Sequence, residues 1–453
     1  MAQGLSAPCK KRRPGRARQA QRPRRPRLPH GGRAHSEVTQ KMEQQHRRIL
    51  VVSQHYWPEN FRITDICRGF VESGVEVDVL CGLPNYPKGE WFEGYRYMGP
   101  RRQQHEGVQI FRAGEVPRRG NTAARIFLNY VSWPLCALFS LPRLHGRHYD
   151  AVFCYETSPV LMMVPAIVYA KLHRVPLCTY VLDLWPENLY SVLPVKNRAL
   201  RAVAAGVSHW LYRRSDTLVG MSDALGEKLR AIAPRRTVAV VPQYCEDLYA
   251  RDVHDEALAA RFAGRFCVVF AGNISPAQDL GLLVACAKRL AAQGRRDIHF
   301  CIVGDGMSRA QLEADIDSAG VREYFTFEGM QPVERIPAYH TMAGALFAAL
   351  AKSDDLGLTV PAKITSYMAA GRPVLVAADG EAARAVQSAG CGLACAAGDE
   401  EALCRNLVRL ADMPAEARAA LGKAGRSYFR AHYRRSLLLQ RLLACILGAE
   451  NAE

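Results

Sequence analysis

Several short stretches of this chain gather residue types that do chemistry at the ends of apolar runs. The tetrapeptide Trp-Pro-Glu-Asn occurs twice, at 57–60 and at 185–188, each time closely after such a run. A carboxylate beyond a strand can accept from ligand hydroxyls or take a proton from an attacking group. Glu59, Asp183 and Glu187 are therefore candidates to line a cleft, with cap and turn formation as the plain alternative. His55, just upstream, is a further candidate base, and Asn60 stands directly before a helix whose free amides can face an anion.

The stretch FAGNISPAQDL (270–280) leaves a strand through Gly272, Asn273 and Gln278. Glycine lets a ligand approach the backbone, and an amide side chain can both donate and accept. The next strand leaves through GDG, with Gly304 and Gly306. VPAKITSYMAAG (360–371) then reads as a loop ending at Pro361 and a short helix with Lys363 in its first turn. A lysine opposes the helix dipole there, and a bound diphosphate would explain it. Gly380 and Glu381 follow the next strand, and Glu381 can accept from ribose or sugar hydroxyls. There is no GxGxxG, no Cys or His spacing for a metal and no evident metal cluster of DxD type; SDD at 353–355 is too weak a signal. No metal and no bound cofactor are expected.

The elements that must hold these loops alternate. RRILVVS, a helix over ITDICRGFVESG and VEVDVLCG open a βαβ unit, and strands at 108–113, 151–155, 176–183, 217–222 and 237–242 follow. A second series runs through 266–272, 299–304, 325–329, 344–350, 373–378 and 392–397. Strand–helix alternation predicts parallel, doubly wound sheets. The fold class is thus α/β, with two Rossmann-like domains facing across a cleft. The expected divisions are a basic arm at 1–46, a first domain at 47–242, a linker at 243–264, a second domain at 265–425 and a terminal helix at 426–447.

Charge adds little to function. The net charge is +17, but residues 1–48 hold 14 Lys and Arg against two acids. That arm, rich in Arg, Pro and Gly, has no apolar period, and a start at Met42 would omit it. No specific nucleic acid is expected as a partner. The 14 cysteines are scattered through apolar runs, as buried thiols of a reducing compartment would be. The apolar stretches 125–144, broken by Pro134, and 160–172 read either as a membrane-facing surface or as core helices.

Taken together, ILVVSQHYWPENFRITD, GLPNYPKGEWFEGY, VLDLWPENL, FAGNISPAQDL, IVGDG and VPAKITSYMAAGRPVLVAADGEAARAV resemble the family 4 glycosyltransferases of GT-B fold. The nearest group is the L-fucosamine transferase-like enzymes of O-antigen and capsule assembly. The resemblance spans roughly residues 47–445. It implies a nucleotide sugar, expected to carry UDP, on the second domain, contacted by Gly272, Asn273, Gln278, Gly304, Gly306, Pro361, Lys363, Ser366, Gly380 and Glu381, with Asn60 reaching in from the first. It implies an acceptor on the first domain, near His55, Glu59, Asn85 and Tyr86. It further implies retention at the anomeric carbon, with Lys363 steadying the leaving diphosphate, and a last helix that crosses back. The acceptor would be a polyprenyl-diphosphate-linked saccharide, met in the cytoplasm at the inner face of the cytoplasmic membrane. If the reaction inverted instead, Asp183, Glu187 or His55 would be the base. The chain departs from the family pattern where two glutamates are usual, with Leu358 and Ser366, and at Gln243, Tyr244 and Met330. Donor identity is left open by these changes. A GT-B epimerase or phosphorylase, and a non-enzymatic sugar- or nucleic-acid-binding protein, are the competing readings.

Overall fold

The computed structural model describes residues 47–192, 197–353 and 356–448. The arm with Met42, and Asp354 and Asp355 of the SDD string, lie outside them. The first half runs β1 (Arg48–Val52), α1 (Ile63–Glu72), β2 (Glu76–Cys81), β3 (Arg102–His105), β4 (Val108–Arg112), α2 (Ala123–Ser140), β5 (Ala151–Glu156), α3 (Met163–His173), β6 (Leu177–Val181), α4 (Glu187–Val192), α5 (Arg198–Tyr212), β7 (Thr217–Gly220), α6 (Asp223–Ile232) and β8 (Thr237–Val240). Its sheet has the order β3-β4-β2-β1-β5-β6-β7-β8 and is parallel except at β3. Strands such as RILVV and LCTYV are mostly apolar because helices cover both faces, apart from Arg48 at the start of β1 and Thr179, whose hydroxyl bonds Ser215.

The second half runs α7 (Glu256–Arg261), β9 (Phe266–Ala271), α8 (Gly281–Ala292), β10 (Ile298–Val303), α9 (Arg309–Ser318), β11 (Phe325–Gly329), α10 (Ile336–Met342), β12 (Ala345–Ala349), α11 (Ala362–Ala370), β13 (Val374–Ala377), α12 (Glu381–Ala389), β14 (Gly392–Cys395), α13 (Glu400–Asp412), α14 (Ala415–His432) and α15 (Arg435–Leu447). Its sheet, β11-β10-β9-β12-β13-β14, is parallel throughout. The chain thus carries two doubly wound sheets in tandem, as the strand–helix alternation predicts. Strand order reverses between β1 and β5 and between β9 and β12, the points where open α/β sheets bind ligands.

Three local features depart from the sequence pattern. The edge strand β3 reads RQQH and has no apolar signal; it pairs antiparallel with β4 through a turn at Glu106 and Gly107, both with positive φ. Helix α2 runs through Pro134 instead of breaking there, which removes one hydrogen bond but leaves Tyr130, Trp133 and Ala137 packed. The helical end divides after His432: Arg434 is extended, and α15 starts at Arg435.

That division turns α15 onto the first domain. Arg435 donates to Asp65 through Nε (2.8 Å) and to Glu72 through Nη1 (3.0 Å). Burial opposes ionisation of Asp65, yet Arg435 and Tyr244 hold its carboxyl below the ordinary value. Leu438, Leu439, Leu442, Leu443 and Ile446 are buried, each contributing roughly 1.5–3 kcal/mol of burial. Gly69 admits the helix, since a Cβ there would lie 2.4 Å from Leu439 Cδ1. At the outgoing strand, the Cys245 amide donates to the Tyr433 carbonyl (3.1 Å), so the two crossings lie side by side.

Candidate active site

The second-domain loops build a floor of glycine backbone with one cation on it. Past β9, the Gly272 amide donates to Val303 O (2.9 Å) and the Ile274 amide to Asp305 O (2.9 Å). The loops after β9 and β10 touch so closely that a Cβ on Gly304 would sit 2.0 Å from the Gly272 carbonyl oxygen. A Cβ on Gly306 would meet Ile274 O at 2.2 Å and Asn273 Oδ1 at 2.5 Å. Asn273 is exposed at the rim.

Lys363 crosses this floor from the first turn of α11. A Cβ on Gly272 would be 2.4 Å from its Cε, and its ammonium stands 4.5 Å from the centre of the Phe270 ring. Its Nζ donates to Gln278 Oε1, in the turn that follows β9. No carboxylate pairs with it among the described residues. Burial pushes its ammonium pKa down to about 8. A partly buried cation without a carboxylate partner, beside glycine backbone and a helix N-terminus, is an arrangement that suits an anion.

Other donor-side residues have different neighbours from those the sequence suggested. Ser366 is buried and its hydroxyl donates to the Lys363 carbonyl (2.9 Å), within its own helix. Pro361 is the N-cap of α11. Gly380 packs on the Gly357 backbone, where a Cβ would come within 2.1 Å of the carbonyl oxygen. Glu381 is buried and turned to the first domain: Oε1 accepts from the Ala224 amide of α6 (2.9 Å) and from Arg384 (2.7 Å). It ties the two domains together beside the contact of Ser222 Oγ with Leu358 O.

The first-domain loops hold two polar clusters. In the first, Glu59 is buried and uses both carboxylate oxygens internally. Oε1 accepts from the amides of Asn85 and Tyr86 (both 2.7 Å), and Oε2 bonds His55 Nδ1 (2.9 Å). Glu59 is thus a clamp for the 85–86 turn and for the His55 ring, not a free ligand group. Phe61 stacks on His55 at 4.6 Å. Asn85 is fully enclosed and donates to Leu83 O, Tyr86 is exposed, and Asn60 is exposed. Gln54, Glu115, Arg118 and Asn129, which the sequence reading passed over, extend this cluster. Glu115 Oε2 accepts from Gln54 (2.7 Å) and Asn129 (2.9 Å), and burial pushes its carboxyl up to about 8. Arg118 donates to Asn129 (3.0 Å) and lies over the Tyr130 ring.

The second cluster lies past β5 and β6. Asp183 accepts from Ser158 Oγ (3.2 Å), and burial raises its carboxyl pKa. Trp185 Nε1 donates to the same Ser158 oxygen (3.0 Å). Glu187 opens α4 with Oε2 enclosed and unpartnered. Glu156, also passed over, closes β5 with neither carboxyl oxygen partnered. Its signal was present in YETSP (155–159), an acid at the end of a wholly apolar strand. The two Trp-Pro-Glu-Asn copies therefore differ: the first glutamate is fully engaged and the second is not.

Comparison with known proteins fits this division of the chain. Residues 59–243 match the glycosyl transferase 4-like domain and residues 258–428 match glycosyl transferases group 1. A 2-deoxystreptamine glucosyltransferase of Streptomyces kanamyceticus is 27% identical over 394 residues, which are 83% of this chain and 96% of that one. Among solved structures, sucrose-phosphate synthase of Thermosynechococcus elongatus superimposes with a TM-score of 0.66 at 16% identity, over 90% of this chain and 100% of its own. HepE of Anabaena, in complex with UDP, superimposes with a TM-score of 0.63 at 13% identity, over 89% and 100%.

Proposed function

We propose, from the premise that this chain is a glycosyltransferase of GT-B fold, that it transfers an N-acetylated amino sugar from a UDP donor with retention. The observation that carries the donor side is Lys363, a partly buried cation without a carboxylate partner among the described residues, laid across Gly272. As the sugar–phosphate bond breaks, negative charge grows on the diphosphate. Lys363 and the amides at the start of α11 are fixed in advance to meet it. Retention without a covalent intermediate needs no enzyme nucleophile: the departing phosphate takes the proton of the acceptor hydroxyl. Gln278 orients the ammonium through its carboxamide oxygen.

The acceptor is held by the first domain, between the Glu59–His55 cluster and the Asp183 cluster. A saccharide on a polyprenyl-diphosphate carrier, as in O-antigen or capsule assembly, is the first reading. It draws support from α2, which turns Phe127, Leu128, Leu135 and Phe139 to solvent, and from Ala123–Leu144, long and apolar enough to cross a membrane by length and composition, with a third of it buried. Such a face would rest on the inner surface of the cytoplasmic membrane. Helix α3, the other apolar stretch, is mostly core. A soluble aminocyclitol is the second reading, favoured by the unpaired acids past β5 and β6 and by the 2-deoxystreptamine named for the Streptomyces relative. Thermal unfolding with UDP, GDP and other nucleotides tests the donor side. A rise with UDP that Lys363→Ala removes is expected, and no rise with any nucleotide would refute the site.

A further inference from the structure

The acids past β5 and β6 form a cluster with no counter-ion among the described residues, and burial holds the Glu156 carboxyl well above the ordinary carboxylate range. Glu156 is 0% exposed, and no hydrogen-bond partner reaches either of its carboxyl oxygens. Asp183, partly open, lies close enough for its charge to act on Glu156. The Tyr212 hydroxyl, which accepts from the Trp185 amide (3.0 Å), feels Glu156, Glu187 and Asp183 together. Glu187 adds a third enclosed oxygen without a partner. Among the described residues no Lys, Arg or His forms an ion pair with any of the three. The nearby arginines are engaged elsewhere: Arg62 with Glu246 (2.9 Å) and Arg118 with Asn129 (3.0 Å).

A buried carboxyl with no partner forfeits hydrogen bonds that water would have supplied, so the arrangement lacks something. A hydroxyl brings one donor and no charge. A protonated primary amine brings three donors and a positive charge for the partly open Asp183. We propose that the acceptor presents a protonated amine to this cluster, received by Asp183 and backed by Glu156 and Glu187, so that the substrate class is an amino sugar or aminocyclitol with a free amine. This rests on the reading of the first domain as the acceptor side. It holds whether or not the amine-bearing unit sits on a lipid carrier.

The test is calorimetric binding to the full chain in the presence of UDP, with 2-deoxystreptamine and its N,N′-diacetyl form as probes. Acetylation removes the charge and keeps the ring. The free diamine should bind at least about tenfold tighter, the scale of a hydrogen bond to a charged group. That preference should collapse in Asp183→Asn and shrink in Glu156→Gln. Equal binding of the two probes, binding of neither, or an unchanged preference in both variants would overturn the proposal. The UDP-induced rise in midpoint, measured on each variant, reports an intact donor domain. Should a variant lack it, the wild-type preference alone decides. A wild type that binds the diamine but shows no response to UDP would leave this inference standing and remove the donor reading.

Discussion

Replacing Lys363 by Met should stabilise the free protein and weaken its response to UDP. The folded ammonium has a pKa of about 8, against 10.5 for an ordinary lysine, because burial disfavours its charge. By linkage that gap costs about 3 kcal/mol at neutral pH. Removing the charge also removes the hydrogen bond to Gln278 and the contact over Phe270, each about 1 kcal/mol. Met keeps the packing of the stem over Gly272 and Phe270. The net gain is of order 1–2 kcal/mol, or a few degrees in midpoint for a chain of this size. With UDP at 100 times its dissociation constant the wild type gains about 2.7 kcal/mol. The loss of a charged hydrogen bond weakens binding by about tenfold or more, so the variant gains at most about 1.4 kcal/mol at the same concentration. Scanning calorimetry with and without UDP reads both numbers. A variant less stable than wild type, or one with an undiminished UDP increment, would refute the placement of an anion on Lys363.

The pH dependence has a definite sign: the unfolded chain holds the Lys363 proton up to about 10.5 and the folded chain only to about 8, so this residue's contribution to stability should rise between those values. A bound diphosphate raises the ammonium pKa again, so calorimetry in two buffers near pH 8.5 should register proton uptake on binding UDP, and Lys363→Met should abolish it. Gly304→Ala would place a methyl 2.0 Å from the Gly272 carbonyl oxygen at a φ of +129°; a loss of roughly 3 kcal/mol or more in denaturant unfolding is expected. Leu439→Ala removes the side chain seated on Gly69 between α15 and α1 and should cost about 2–5 kcal/mol, read as a lower midpoint. An unchanged midpoint would mean that the terminal helix does not lock the domains.

The central parallel strands were legible because they are buried on both faces and read as largely apolar runs: ILVV within β1, LCTYV and FCVVFA announce themselves. Lys363 was legible too, because a cation in a first helical turn conflicts with the local dipole, and that conflict is visible along the chain. The edge strand β3 was not, because its polar RQQH carries no period and its pairing is set by the neighbouring strand. Local order thus determined the two sheets, their α/β wrapping and the loops worth inspecting. Only the tertiary structure decided what each loop side chain meets. Two identical Trp-Pro-Glu-Asn strings gave one glutamate saturated by His55, Asn85 and Tyr86, and another with an enclosed oxygen left open. Glu381, which had the composition of a sugar contact, instead bonds the amide of Ala224, 157 residues earlier in the chain. A carboxylate's role depends on the donors that folding brings to it, and those donors lie far away in sequence.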